Sequence, residues 1–223
     1  MSLTELNSPV EFPLPGRGVG VRLLNVGKRY NREWIFRRCN YTFNSGKSYA
    51  ITGPNGSGKS TLLQVIAGAT LHNEGTIEYN TGQGAISNEQ HYTNIAIAAP
   101  YLELIEEMTA KEMLAFHSTF KPLVRSLTIE EMLKIVGLEN AVNKQLRYFS
   151  SGMKQRLKLA QAFFSNTPVL LLDEPTTNLD ADGIALYQNL ISRYTKDKLV
   201  IVSSNVKEEY DFCEEVISIA DYK

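Results

Sequence analysis

Gly53-Pro54-Asn55-Gly56-Ser57-Gly58-Lys59-Ser60 is the stretch on which the reading of this chain turns. It fits G-x-x-x-x-G-K-[ST], the phosphate-loop motif, in which each residue type has a physical reason. Glycine lets the backbone fold into a nest whose N–H groups point inward at an anion. A helix starting at the end of the nest adds the positive end of its dipole. Lys59 brings a mobile charge to the β- and γ-phosphates, and the Ser60 hydroxyl is a ligand for Mg²⁺. The flanks agree, because SYAIT (48–52) reads as a strand and KSTLLQVIAG (59–68) as a helix. The expectation is a nucleotide held by Gly53, Pro54, Asn55, Gly56, Ser57, Gly58, Lys59, Ser60 and Thr61.

Downstream, Val169-Leu170-Leu171-Leu172-Asp173-Glu174 is an apolar run ending in two acids. Its length suits a core strand of a parallel sheet, with both acids emerging at the carboxyl edge, where ligands of open α/β sheets sit. Asp173 is placed to hold Mg²⁺ together with Ser60. Glu174 is then the residue that polarises an attacking water.

The rest of the chain falls into place around these two segments. Residues 1–18, with Pro9, Pro13, Pro15, Gly16 and Gly18, read as an extended leader. VGVRLLNVGKRY (19–30), IFRRCNYTF (35–43), TIEY (76–79) and NIAIAA (94–99) read as strands. Thr109 with Glu112, and Thr128 with Glu131, have capping-box spacing, which predicts a helical insertion over about 102–149. Helix (151–165), strand (169–172), helix (181–194) and strand (199–204) follow. Strand alternating with helix predicts a parallel sheet covered on both faces.

Composition excludes several classes. Of 223 residues, 43% are hydrophobic, and 23 Lys+Arg nearly cancel 24 Asp+Glu for a net charge of −1, so a strongly basic nucleic-acid binder is not expected. Cys39 and Cys213 form neither a disulfide framework nor a metal-type spacing. MSLTELNSPVEFPLPG lacks the basic and apolar regions of a signal peptide. No run approaches the ~18 apolar residues that span a bilayer.

Two further segments give the chain a family resemblance. Phe149-Ser150-Ser151-Gly152-Met153-Lys154-Gln155-Arg156 resembles the LSGGQ-type signature of ATP-binding-cassette (ABC) ATPases. Asp173-Glu174-Pro175-Thr176-Thr177-Asn178-Leu179-Asp180 resembles that family's Walker B and D-loop. Phosphate loop, insertion, signature and Walker B also follow one another in the family's order. The resemblance implies a P-loop NTPase (RecA-like) α/β core with an antiparallel β subdomain and a helical subdomain insertion, as one domain over 19–223. It implies ATP and Mg²⁺ as ligands, and a head-to-tail homo- or heterodimer with a second nucleotide-binding subunit. Each site would join one subunit's phosphate loop to Ser150, Ser151 and Gly152 of the other, with Asp180 at the seam. It further implies a membrane-spanning permease subunit as partner, and a cytoplasmic place at the inner face of the membrane. Tyr30 matches the aromatic that stacks on adenine in the family, with Trp34 as the second candidate and a surface or core tyrosine as the bland alternative.

Two departures stand out. The family's Gln before the helical insertion is missing from Ala98-Ala99-Pro100-Tyr101-Leu102-Glu103, where Pro100 or Tyr101 takes its place. Its switch His is replaced by Asn205, whose amide can donate a hydrogen bond to a γ-phosphate but cannot carry charge. Slower hydrolysis follows as an expectation, with Glu174, Lys59 and Asn205 as the catalytic set. The alternatives are a soluble ABC-type ATPase and an ATP-dependent dimerising module with little hydrolysis. Pro100 to Leu104 is expected to present an apolar docking surface. His72, His91 and His117 show no ligand spacing, Lys154, Arg156 and Lys158 read as a solvated helix face, and Met113, Leu114, Phe116 and Phe120 read as the insertion's own core.

Overall fold

Strand β1 (Val19–Tyr30) turns back into β2 (Glu33–Phe43), with Tyr30 facing Glu33 and Asn31 at φ 53° in the turn. A short polar residue is among the few that enter this left-handed region at low cost. These are features of a computed structural model that describes residues 19–81, 84–85 and 91–223. The leader expected at 1–18 lies outside the described residues.

Strand β3 (Ser48–Thr52) feeds the phosphate loop and helix α1 (Lys59–Ile66). β4 (Glu74–Thr81) returns to pair antiparallel with β1, and the short β5 (Gly84–Ala85) pairs with β4, so the first sheet has the order β2-β1-β4-β5. β6 (Ile95–Ala98), β7 (Val169–Asp173), β8 (Leu199–Ser203) and β9 (Glu215–Ser218) join β3 in a second, parallel sheet of order β6-β7-β8-β3-β9. Helices α2 (Ala110–Phe120) and α3 (Ile129–Ile135) lie in the insertion, and α4 (Ser151–Phe163) and α5 (Ala181–Tyr194) flank β7 in sequence. This is the P-loop α/β core with an antiparallel subdomain and an inserted helical region.

The period-two pleat of the central strands divides the core. Leu170, Leu172, Val200 and Val202 point to the face shared with α4, α5 and the insertion. Val169, Leu171, Leu199 and Ile201 point to the other face, packed with α1 and the antiparallel sheet. Strands buried on both faces read as unbroken apolar runs, which is how VLLL and LVIVS are spelled. Truncating a fully buried leucine such as Leu171 would cost about 2–5 kcal/mol.

Both capping boxes form. Thr109 Oγ1 accepts the Glu112 N–H while a Glu112 carboxylate oxygen accepts the Thr109 N–H, and Thr128 with Glu131 repeats the pattern. One expectation is corrected here. Met113 and Leu114 are core residues, but Phe116 and Phe120 are 39% and 60% exposed and pack edge-to-face on each other. One turn apart, they stand off the stripe of Ala110, Met113, Leu114 and His117 that faces inward. His117 Nε2 lies 2.8 Å from Ser165 Oγ. Because the Ser165 hydroxyl donates to Gln161 O, His117 is the donor in that pair. Burial lowers its pKa to about 4, and Lys121 adds to the shift.

Candidate functional site

The phosphate loop spans the gap between β3 and α1, and its backbone depends on glycine. Gly58, the N-cap of α1, has φ 104°, and a Cβ there would lie 2.4 Å from Ile35 Cγ2. Gly53 has φ 146°, and a Cβ there would meet Ile219 and Ser57 at 2.6 and 2.9 Å. A side chain at either position would collide with these neighbours and push the loop out of shape. Lys59 is buried and folds back over the loop, its Nζ donating to Gly53 O (2.8 Å) and Pro54 O (3.3 Å). Ser57 Oγ is buried without a hydrogen-bond partner. No acid occupies the first turn of α1, so the positive pole of the helix is left for an anion.

Asp173 ends β7 at the carboxyl edge of the sheet, 2% exposed, and its Oδ1 has no hydrogen-bond partner. Burial raises its pKa, while the nearby hydroxyls of Ser60 and Ser203 and the charge of Lys59 act against the rise. A desolvated carboxylate with an idle oxygen beside a serine hydroxyl is a hard-oxygen donor set of the kind Mg²⁺ takes. Ser60 and Asp173 fit that ion.

Glu174 is exposed and has φ 41°, a left-handed backbone disfavoured for a residue with a side chain. Its N–H donates to Ser203 O at 2.9 Å, so the strand pairing continues one residue past β7 before the chain turns. Glu174 lines a cleft of about 210 Å³ with Asn55, Lys59, Ser60 and Ile35. Asn205 reaches the same loop and shares a second cleft, of about 410 Å³, with Asn55 and Glu174. Its Oδ1 accepts the Gly53 N–H at 3.2 Å and its Nδ2 donates to Asn55 Oδ1 at 3.2 Å.

The signature-like segment lies elsewhere. Ser150 caps α4, its Oγ accepting the Met153 N–H at 3.2 Å, and Gly152 sits so close to Asn178 O that a Cβ would lie 3.0 Å away. Ser150, Ser151, Gly152, Arg156 and Asp180 line a cleft of about 460 Å³ that shares no residue with the phosphate-loop cleft. Asp180 caps α5 by accepting the Gly183 N–H at 2.9 Å and pairs with Arg156 at 3.2 Å. The Gly183 N–H and the Arg156 charge lower its pKa despite some desolvation.

Tyr30 ends β1, 47% exposed, with Lys28 Nζ 4.7 Å above its ring. Trp34 lies against two guanidiniums, Arg29 at 5.5 Å and Arg37 at 4.5 Å. Neither lines the phosphate-loop cleft; the nearest apolar side chain there is Ile35, which the sequence reading did not single out. In the stretch where the sequence reading expected a Gln, Tyr101 is 43% exposed. Its hydroxyl interacts with the Gln64 side chain, and burial, reinforced by the charge of Asp173, raises its pKa to about 12. The apolar docking surface expected at Pro100 to Leu104 is in fact mixed, because Leu102 and Leu104 share a groove with Glu103, Glu106, Lys154 and Lys158. Nor is the basic stretch simply solvated, since Lys158 Nζ donates to Pro100 O at 2.6 Å and Lys154 pairs with Glu106 at 2.6 Å.

A parallel sheet with a glycine cradle at one strand end and an acid pair at another defines a phosphate-loop nucleotide-binding domain. The family model described as "ABC transporter" matches residues 36–177, and this chain belongs to that family. It is 31% identical over 202 residues to the uncharacterized ABC transporter ATP-binding protein YybJ of Bacillus subtilis (strain 168), covering 90% of this chain and 89% of that one. It is 30% identical over 192 residues to the lantibiotic transport ATP-binding protein SrtF of Streptococcus pyogenes, covering 86% and 82%. Among solved structures, the bacterial ABC transporter cassette MJ0796, described as dimeric, superposes with a TM-score of 0.73 at 26% identity, covering 89% of this chain and 93% of that one. Among the described residues, no helix is long and apolar enough to cross a membrane.

Proposed function

We propose that this chain binds and hydrolyses ATP as the nucleotide-binding subunit of an ABC transporter, powering transport through a separate membrane-spanning subunit. The observation that carries this reading is the meeting of Ser60 and Lys59 at the start of α1 with Asp173 and Glu174 at the end of β7. Gly53 to Thr61 cradle the triphosphate with backbone N–H groups, and Lys59 exchanges its loop carbonyls for phosphate oxygens. Ser60 and Asp173 hold Mg²⁺, which when bound neutralises charge on the phosphates. Glu174, exposed beside that cleft, orients water for in-line attack and accepts its proton. Asn205 offers its amide to the γ-phosphate without a charge, which favours turnover slower than a histidine would give.

The separation of the two clefts supports a head-to-tail dimer, homo- or heteromeric. Ser150, Ser151 and Gly152 of one subunit would close on the nucleotide held by the other, with Asp180 at the seam. Tyr30, projecting from its hairpin, stacks on the adenine. Residues 19–223 act as one domain at the inner face of the membrane, and nucleic acid is not a partner.

The test is phosphate release under single-turnover conditions, comparing the wild type with Glu174→Gln. Release by the wild type and its loss in the variant support hydrolysis. ATP-dependent dimerisation with no release by either protein would favour a regulatory module instead.

A further inference from the structure

The turn Glu174–Pro175–Thr176 is held from two separate elements by buried polar side chains that the mechanism above does not use. From α4, Gln155 Nε2 donates to Pro175 O at 2.8 Å, and Gln155 is 2% exposed. From the 3-10 turn Lys207–Glu209, the Glu209 carboxylate accepts both the Thr176 N–H (2.7 Å) and the Thr176 hydroxyl through the same oxygen, Oε1. Glu209 is also 2% exposed, and its Oε2 has no partner. Its own carbonyl is fixed by the Tyr187 hydroxyl at 2.6 Å.

Burying a carboxylate and a carboxamide is unfavourable unless their hydrogen bonds are worth it. Here those bonds converge on the two residues that follow Glu174. Glu174 itself has the left-handed φ of 41°, a conformation that persists where the surroundings over-determine it. With the Glu174 N–H tied to Ser203 O and Thr177 N–H donating to Glu174 O, the Gln155 and Glu209 bonds leave the turn no freedom to relax.

We propose that Glu209 and Gln155 are positioning residues, a two-sided clamp that keeps the Glu174 backbone in its left-handed conformation and so aims its carboxylate at the attacking water. The inference rests on the reading of Glu174 given above. Neither residue lines the phosphate-loop cleft, so loosening the clamp lowers kcat and leaves nucleotide affinity alone. The two side chains act on one turn, so their effects are not independent.

The experiment measures kcat, the KM for Mg-ATP and Tm on the purified full chain. The variants are Glu209→Ala, Glu209→Gln, Gln155→Ala, the double Glu209→Ala/Gln155→Ala, and Glu174→Gln. Expected are a roughly tenfold or greater fall in kcat for Glu209→Ala with KM changed by less than about twofold. Glu209→Gln restores most of the rate, because its amide oxygen still accepts from Thr176. The double variant loses less than the product of the two single losses. If Glu209→Ala does not fold, Gln155→Ala, which frees only one carbonyl, carries the comparison. A kcat within about twofold of wild type for Gln155→Ala and Glu209→Ala, with Glu174→Gln inactive, overturns the clamp and leaves the function standing. Equal losses in Glu209→Gln and Glu209→Ala, or a KM that moves with kcat, also overturn it. A Glu174→Gln variant as active as the wild type overturns the underlying reading, and the clamp with it.

Discussion

Asn205 is hydrogen-bonded to Asn55, one carboxamide to another, so the segment after β8 is latched onto the phosphate loop. The Gly53 N–H, which also points at Asn205, fixes which end of that side chain is oxygen. Asn205, which the sequence reading sets at the switch-histidine position, therefore lies at the loop with an uncharged donor.

Asn205→His should raise kcat by up to about tenfold, equivalent to about 1.4 kcal/mol of transition-state stabilisation. Steady-state phosphate release against Mg-ATP concentration checks this. A rate equal to or below that of the wild type counts against Asn205 as the limiting substitution.

Asp173→Asn separates stability from function. The carboxylate is buried with an idle oxygen, so replacing its charge by an amide should raise the Tm of the ligand-free protein by a few degrees. The same change should abolish Mg²⁺-dependent turnover. Thermal unfolding and phosphate release on one preparation test both halves, and a lowered Tm with normal turnover would refute them.

His117 makes the insertion sensitive to acid. Its folded pKa, about 4, lies below the ordinary 6.5, so the unfolded chain binds the extra proton first as pH falls. No penalty exists above pH 6.5; it grows as pH drops from 6.5 towards 4 and is constant below that. Across this window Tm should fall more steeply for the wild type than for His117→Gln, as read by thermal unfolding at several pH values. Parallel curves would contradict it.

Much of this architecture was legible because its signals are local. The strand–glycine–helix passage at 48–66, the threonine caps at 109 and 128, and the Ser150 cap are each written within a few residues. What escaped depends on residues distant in sequence. Gln155 and Glu209 reach Pro175 and Thr176 across 20 and 33 positions, and nothing near either of them announces the contact. The lysines of α4 that polarise the Pro100–Leu104 face come from a helix beyond the insertion, so an apolar reading of that loop had no way to include them. Phe116 and Phe120 escape because the apolar residues of MLAFHSTF (113–120) lie on more than one face of the helix, so spacing alone does not pick out the inward one.

Tyr101 and Leu102 test the membrane side of the proposal. Tyr101→Ala with Leu102→Ala should lower co-purification of the membrane-spanning subunit severalfold without loss of ATP binding. Retained capture with both substitutions would remove this face from the coupling surface.

Everything returns to the glycine cradle and the lysine folded over it. Calorimetric titration of the purified chain with Mg-ATP, wild type beside Lys59→Ala, tests it most directly. Saturable binding by the wild type, weakened at least about tenfold in the variant, is the result expected when a charge-assisted phosphate contact is lost. Equal affinity in the two proteins, or no binding by the wild type, would contradict the account.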